Sequence, residues 1–249
     1  MAFDPRWHIK RLSLESRVSI HAVIPVKKLE EEKMPVRKVS NRGGNIIGRV
    51  PSIKMGRMIA FESLIERDLI HILDFEQDVE WFAEQPLTIA YQQKGKTRKY
   101  TPDFHVVRHG QNILVECKPE KRAHSDENQR KFAAAQSWCD AEGWIFQVIT
   151  DTQLRSGYRL QNVKLMTQFA RHAIEPGIQR RVRAFLSIAP SPVTVADVIV
   201  QVVADKPQVA IIPVLYMAFH HELWLPLDDA PISVNTPIAL ASALKGGDS

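Results

Sequence analysis

Two carboxylates and a lysine occur at a spacing that fits metal-dependent phosphodiester chemistry. Asp103 follows Pro102, and Glu116-Cys117-Lys118 begins thirteen residues later. Because alternate side chains share one face of a strand, Glu116 and Lys118 are expected to point the same way. Carboxylate oxygens are the ligands that Mg²⁺ prefers, and the Cys117 carbonyl oxygen would add another. The Lys118 ammonium would orient or activate an attacking water and offset negative charge at the phosphorus.

The segments around these residues predict a hairpin, a helix and a parallel strand. Residues 104–108 and 112–118 flank the turn His109-Gly110 and read as paired strands. Ser125 is typical of an N-cap for a helix ending at 142, and 144–150 reads as a strand. A right-handed crossover would join the last two strands. This placement favours an α/β, restriction-endonuclease-like PD-(D/E)xK core over a surface strand with an exposed Glu–Lys pair.

A further acid is expected from the preceding segment. Apolar residues recur at helical spacing from Met58 to Leu73, which predicts a helix there. Glu62 and Glu66 are four residues apart and would share a face of that helix, so either could aim at the metal site. For Glu62, a solvated face partly neutralised by Arg67 is an equally good interpretation. Residues 86–92 are predicted to form a strand.

Positive charge is concentrated in the first quarter of the chain. Residues 1–60 hold 13 Lys and Arg against 5 Asp and Glu, whereas the whole chain has a net charge of only +5. A polyanion such as DNA would therefore meet this end first. We interpret 1–58 as a basic arm that follows phosphates, with a merely solvated arm as the alternative. The candidate DNA-binding residues are Arg37, Lys38, Arg42, Arg49, Lys54 and Arg57.

Several classes of protein are disfavoured by composition. No apolar stretch of 18 residues occurs, so no membrane span is expected. The first residues lack the apolar core of a secretory signal, which predicts a cytoplasmic protein. The two cysteines form no CxxC pair, which argues against a disulfide framework or a structural zinc site.

The last 74 residues differ from the rest and hold 8 of the 15 prolines. Helices are predicted over 179–187, 194–203 and 207–222, with extended pieces near Trp224 and Ile232. This pattern suggests a small winged-helix-like domain over 176–249, after a nuclease domain over 59–172. The tail holds 5 Lys and Arg against 6 Asp and Glu, so we expect it to dock proteins more than DNA.

Several linked motifs, in order, resemble the TnsA-type endonuclease subunit of heteromeric transposases. The similarity covers roughly residues 35–155. The segments that carry it are Pro51-Ser52-Ile53-Lys54, Phe61-Glu62-Ser63-Leu64-Ile65-Glu66-Arg67-Asp68, Glu84-Gln85-Pro86, Tyr100-Thr101-Pro102-Asp103-Phe104 and Val115-Glu116-Cys117-Lys118-Pro119.

This resemblance implies a bacterial Mg²⁺-dependent endonuclease, with Mn²⁺ as a substitute, that cuts the 5′ strand at transposon ends in double-stranded DNA. It also implies two partners: an integrase-like DDE transposase subunit and an AAA+ ATPase regulator. The family's helix glutamate falls on Glu66, with Glu62 second, and its other catalytic positions on Asp103, Glu116 and Lys118. Some members have Gln where this chain has Glu116. Gln85 could brace the site, touch DNA or serve as a turn residue. A non-catalytic DNA-binding adaptor and a freestanding restriction or repair nuclease remain alternatives.

Overall fold

The protein is seen in a computed structural model that describes residues 46–202 and 211–244. The chain divides between Leu154 and Arg155 into two compact units. This division differs from the one predicted at 172–176, because helix 159–169 packs against helix 211–219 within the second unit. Of the predicted basic arm, residues 1–45 lie outside the described residues. Within the described ranges, no helix is both long and apolar enough to cross a membrane.

The first unit combines strands and helices in the order β1 (Gly48–Pro51), β2 (Met58–Phe61), α1 (Leu64–Phe75), β3 (Val79–Glu84), β4 (Ile89–Gln93), β5 (Lys96–Tyr100), β6 (Phe104–Arg108), β7 (Gln111–Lys118), α2 (Glu120–Ala123), α3 (Asp126–Glu142), β8 (Ile145–Thr150) and α4 (Asp151–Leu154). It is built on a mixed four-stranded sheet with the order β3-β6-β7-β8. Neighbouring strands are antiparallel except β7 and β8, which are parallel. Two separate hairpins, β1–β2 and β4–β5, accompany it.

The predicted hairpin, helix and parallel strand are confirmed as elements. His109 and Gly110 both have positive φ, 48° and 70°, and make the turn between β6 and β7. Ser125 is the N-cap of α3, and its side chain accepts from the Asn128 N–H. Gly143 ends α3 in the left-handed conformation, with φ 69°, which glycine adopts without a Cβ penalty. The chain then returns as β8 beside β7.

The prediction of one helix from Met58 to Leu73 is wrong in its first part. Residues 58–61 form β2, in which Ile59 and Phe61 are buried at the alternate spacing of a strand. The helix begins at Leu64 because Ser63 is extended and its hydroxyl accepts from the Glu66 N–H. Glu62 therefore precedes the helix, and it does not share a helix face with Glu66.

The strands β3, β4 and β5 were less visible in the sequence. The strand predicted over 86–92 begins at Ile89 and ends at Gln93, while β3 and β5 were not predicted. β5 has four exposed residues before its buried Tyr100, so it lacks the alternation that marks a half-buried strand.

Two hydrophobic clusters hold the sheet between helices. The first includes Leu69 and Leu73 of α1 together with Phe104 and Val115 of the sheet. The second includes Leu114, Tyr100 and Trp138, so it joins the opposite face of β7 to β5 and α3. Because neighbouring residues of β7 enter different clusters, the register of this strand is fixed by burial on both faces.

The loop between β1 and β2 is fastened to the end of α1 by a buried carboxylate. Asp74 accepts from the backbone N–H groups of Ile53 and Lys54, at 3.0 and 2.9 Å, and from the Ser52 hydroxyl. The Lys54 ammonium donates to the carbonyl oxygens of Glu76 and Val79. Burial lowers the pKa of Lys54, and the nearby carboxylates oppose that effect. These residues therefore belong to the folded unit, whereas residues 1–58 were predicted to form a basic arm that follows phosphates.

The second unit is mostly helical. Its elements are α5 (Arg159–Phe169), α6 (Pro176–Ile188), α7 (Val195–Val202), α8 (Ile211–Phe219), β9 (Leu223–Trp224), β10 (Ala239–Leu240) and α9 (Ala241–Leu244). β9 pairs with β10, and among the described residues no strand is found near Ile232, where an extended piece was predicted. Instead, the buried Asn162 side chain binds the carbonyl oxygens of Leu227 and Ala230 and the N–H of Ile232, and these bonds hold this segment as a loop.

The Asp74 contacts give a stability prediction. Asp74→Ala should lower the free energy of unfolding by about 2–4 kcal/mol, because it leaves buried donors without an acceptor. Urea unfolding measures this difference. The matched control is Asp140→Ala, on the exposed side of α3, which should change stability by less than about 0.5 kcal/mol. Equal effects of the two substitutions would contradict the role given to Asp74.

Candidate active site

The backbone of Asp103 is hydrogen-bonded to β7 on one side and to the residue that follows β3 on the other. Its N–H donates to the Val115 carbonyl at 3.1 Å, and its carbonyl accepts from the Gln85 N–H at 2.8 Å. Its carboxylate Oδ2 accepts from the Cys117 N–H at 2.7 Å. The side chain is only partly exposed. These bonds hold the Asp103 carboxylate beside the end of β7, where the other predicted catalytic residues lie.

Glu116 and Lys118 form an ion pair at the end of β7. The Glu116 side chain is 3% exposed and that of Lys118 is 25% exposed, so the ammonium is the more accessible partner. The other Glu116 oxygen, Oε2, accepts from the Tyr100 hydroxyl at 2.6 Å. The Lys118 ammonium also donates to the Cys117 carbonyl at 3.2 Å, the oxygen predicted as a metal ligand.

Glu66 approaches the same end of the sheet from the first turn of α1. Its Oε2 accepts from the Glu62 N–H at 2.8 Å. Glu66 interacts electrostatically with both Asp103 and Lys118, which places it in the cluster. Glu62 contacts the cluster differently: its Oε1 accepts from the Gln85 amide at 3.1 Å. The structure thus brings together Glu66, Asp103, Glu116 and Lys118, with Glu62 next to Glu66.

The electrostatics of the cluster follow from burial and from three carboxylates sharing one ammonium. Burial raises the pKa of Asp103 well above its usual range, and the Glu116 and Glu66 charges raise it further. Burial likewise raises the pKa of Glu66. For Lys118, burial alone would lower the pKa, but the charges of Glu116 and Asp103 prevail and raise it above the usual value. Lys118 is therefore held protonated.

Gln85 links several members of the site. Its backbone is in the left-handed region with φ 47°, which turns the chain after β3 so that its N–H meets the Asp103 carbonyl. Its side chain is 7% exposed and donates to Glu62. Within the described part of the chain, its Oε1 has no hydrogen-bond partner. Of the three roles left open from the sequence, these contacts support bracing and a turn residue, and contact with DNA stays a prediction.

Tyr100 is a site residue that sequence reasoning missed, although it stood in one of the motifs. Its hydroxyl is buried against Glu116, and burial followed by the charges of Glu116 and Asp103 raises its pKa. The available signal was a single aromatic residue at the end of a polar segment, three residues before Asp103. That signal does not distinguish a core residue from a hydrogen-bond donor.

The donor set fits a hard divalent cation in its chemistry. All the predicted ligands are oxygens, and mutual repulsion among the carboxylates would be relieved by a bound cation. In residues 46–202 and 211–244, however, no group of three or more His, Cys, Asp or Glu side chains is arranged to hold a metal ion. Both Glu116 oxygens are engaged, by Lys118 and Tyr100.

The predicted DNA-binding residues fall into three groups. Arg37, Lys38 and Arg42 lie outside the described residues. Arg49 is exposed on β1. Lys54 is committed to the β1–β2 loop contacts given above, and Arg57 makes a bidentate pair with Glu84, at 2.9 and 2.8 Å. A DNA-binding role for these six residues stays a prediction.

The raised pKa of Asp103 gives a prediction about pH and stability. Folding stabilises the protonated form, so this contribution is present below the unfolded pKa, near 3.8, and is lost as pH rises through the folded pKa. Asp103→Asn can still accept from Cys117 but does not ionise. In metal-free protein, its gain in unfolding free energy over wild type should increase as pH rises, as measured by urea unfolding. A gain that is constant with pH, as expected for the exposed Asp140→Asn, would contradict this.

Comparison with known proteins supports the resemblance seen in the motifs. Residues 76–151 match the family described as TnsA-like endonuclease N terminal. This segment contains Asp103, Glu116 and Lys118, whereas Glu66 lies ten residues before it begins. No curated protein matches the chain. The predicted resemblance to the TnsA-type endonuclease subunit is thus confirmed over the strand-rich part of the first unit.

Proposed function

We propose that this protein, whose residues 76–151 are TnsA-like, is the DNA endonuclease subunit of a transposase. Its activity would depend on Mg²⁺, with Mn²⁺ as a substitute, and it would cleave the 5′ strand at each transposon end. The observation that carries the proposal is the convergence of Glu66, Asp103 and Glu116 with a protonated Lys118 at one end of a sheet. Metal-dependent phosphodiester hydrolysis uses oxygen ligands to hold the ion and a cation to offset charge at the phosphate.

The fold supports a PD-(D/E)xK core. The hairpin β6–β7, helix α3 and parallel strand β8 follow one another, and the acids and the lysine lie where β6 begins and β7 ends. In the second unit, α6, α7 and α8 with the β9–β10 ribbon support a winged-helix-like domain.

Each residue of the site has a separate task in this proposal. Asp103 and Glu66 would bind the metal through carboxylate oxygens, together with Glu116 and the Cys117 carbonyl. When bound, the ion would polarise the scissile phosphate and acidify a water. Because the pKa of Lys118 is raised, its Nζ keeps its proton at neutral pH. We therefore assign Lys118 to donating hydrogen bonds to phosphate oxygens or to the attacking water, rather than to removing a proton.

The proposed partners are transposon-end DNA, an integrase-like DDE transposase subunit and an AAA+ ATPase regulator. The second unit is the proposed docking site for the proteins. Helix α8 contains no Lys or Arg, and direct readout of bases or phosphates would need such side chains. In this proposal the first unit meets the DNA.

One observation favours a second function, that of a non-catalytic DNA-binding adaptor. Within the described residues the acids are not grouped as a metal centre, and Glu116 is satisfied by Lys118 and Tyr100. An adaptor would keep such a cluster as a scaffold. Metal binding by the full-length protein distinguishes the two functions.

The experiment is a Mn²⁺ titration by calorimetry with a short transposon-end duplex present, alongside cleavage of a 5′-strand label with the partner subunits added. Wild type should bind metal and cleave. Asp103→Asn should lose both, because a ligand is removed from the site. Lys118→Ala should keep metal binding but lose about 10²–10³-fold in turnover, since one charged donor to the transition state is gone. Metal binding absent in wild type, even with DNA, would favour the adaptor, and full activity of Lys118→Ala would refute its assigned role.

The two helix-region acids give a further prediction. Glu66→Gln should reduce cleavage by at least about 10²-fold, because Glu66 is electrostatically coupled to Asp103 and Lys118. Glu62→Gln is the matched control and should cost less, since the Glu62 side chain contacts Gln85 instead. Single-turnover cleavage measures both. A larger loss for Glu62→Gln would reverse the assignment of the helix acid.

A further inference from the structure

The β4–β5 hairpin carries a cluster of exposed cations that the site does not use. Lys94, Lys96, Arg98 and Lys99 are all exposed. No Asp or Glu occurs between Glu84 and Asp103 in the sequence, so the hairpin has a charge of +4 without a compensating acid. The hairpin, residues 89–100, carries +4 in twelve residues, whereas residues 1–60 carry +8, so positive charge is denser here and lies within the folded unit.

The hairpin is firmly held at its base and free of packing at its tip. Ile89, Tyr91 and Tyr100 are buried in the cluster that includes Trp138 of α3. At the far end the chain turns through Lys94 and Gly95, with φ 49° and 72°. The cations therefore project from a rigid two-stranded support rather than from a loose loop. Lys96 lies on the same strand face as Arg98, and Lys99 lies on the other.

The base of the hairpin is part of the active site. Tyr100, the last residue of β5, donates to Glu116 at 2.6 Å. Thr88 and Thr101 are joined by a hydroxyl hydrogen bond of 3.0 Å across the base, and Asp103 follows two residues later. A polyanion bound along the hairpin would therefore extend directly from the carboxylate cluster.

The four cations have no close anionic partner in the described residues. Arg98 interacts at longer range with Glu127 of α3, which is itself paired with Lys131 at 2.6 Å. A competing explanation is that lysines on an exposed edge strand prevent sheet-to-sheet aggregation. That explanation requires no ligand and predicts no change in DNA affinity.

We propose that the β4–β5 hairpin is a DNA-backbone clamp, which binds phosphates of duplex DNA next to the phosphate that is cut. The proposal rests on the proposed nuclease function and adds to it the surface that holds the substrate. Lysine and arginine side chains on both faces of a ribbon suit contact with a backbone rather than readout of bases. The predicted amino-terminal arm is not needed for this contact.

The test measures the salt dependence of DNA binding by the full chain, using a fluorescent transposon-end duplex and no divalent metal. Lys96→Gln/Lys99→Gln should bind more weakly than wild type, by about tenfold or more at low salt. The slope of log affinity against log salt should become less steep by about 2, because each phosphate contact contributes roughly 0.9. Lys96→Arg/Lys99→Arg should retain the wild-type slope, since it keeps both charges.

The control is Arg171→Gln/Arg180→Gln, which removes two exposed charges from the second unit. It should leave affinity and slope unchanged, and thermal unfolding should show that all variants are folded. An unchanged slope for the Lys96/Lys99 variant, an equal loss in the control, or no DNA binding by wild type near 50 mM salt would overturn the clamp.

Cleavage assays separate this outcome from the fate of the proposed function. If Asp103→Asn loses cleavage while the Lys96/Lys99 variant binds like wild type, the function stands and the clamp fails. If Asp103→Asn cleaves like wild type, the nuclease assignment itself fails, whatever the slopes are.

Discussion

The site depends on the hydrogen bond from the Cys117 N–H to the Asp103 carboxylate, together with the two backbone bonds that pin Asp103. Left to electrostatics alone, the acids would separate, because burial and mutual repulsion both disfavour their charged forms. Backbone donors have fixed positions, so they hold Asp103 close to Glu116 despite this cost. Burial on both faces of β7 sets the register of this strand, and the register places the Cys117 N–H at the Asp103 carboxylate. The hydrophobic clusters and the chemistry are therefore linked through one strand.

Much of this arrangement could be predicted from the sequence because local patterns determine it. The turn at His109-Gly110, the cap at Ser125 and the Glu116–Lys118 spacing each depend on a few adjacent residues. The start of α1 was misjudged because Phe61 stands three and four residues before Leu64 and Ile65, a helical spacing, although it also alternates with Ile59 as in a strand. The extended backbone of Ser63 decides where the strand ends and the helix begins. It therefore also decides that Glu62 precedes the helix and that Glu66 lies in it.

Contacts between distant segments explain what the sequence could not provide. The hydrogen bonds of Asp74 with residues 52–54 make a cation-rich stretch part of the folded unit. Counting charges in the sequence does not reveal these bonds. The same limit applies to Tyr100, whose partner lies sixteen residues away, and to Asn162, which holds a loop some seventy residues later. In each case one polar side chain decides a local structure that its own neighbours in the sequence do not specify.

Glu66 has two chemically distinct roles. Its N–H completes the cap of α1 with Ser63, and its carboxylate holds the backbone just before the helix while facing the acid cluster. Selection for a well-formed helix and selection for nuclease chemistry would consequently act on the same side chain. A protein with this fold and no nuclease activity would still gain from keeping this glutamate. Conservation of Glu66 among relatives would therefore be weaker evidence for activity than conservation of Lys118, whose ammonium has no such role at a helix start.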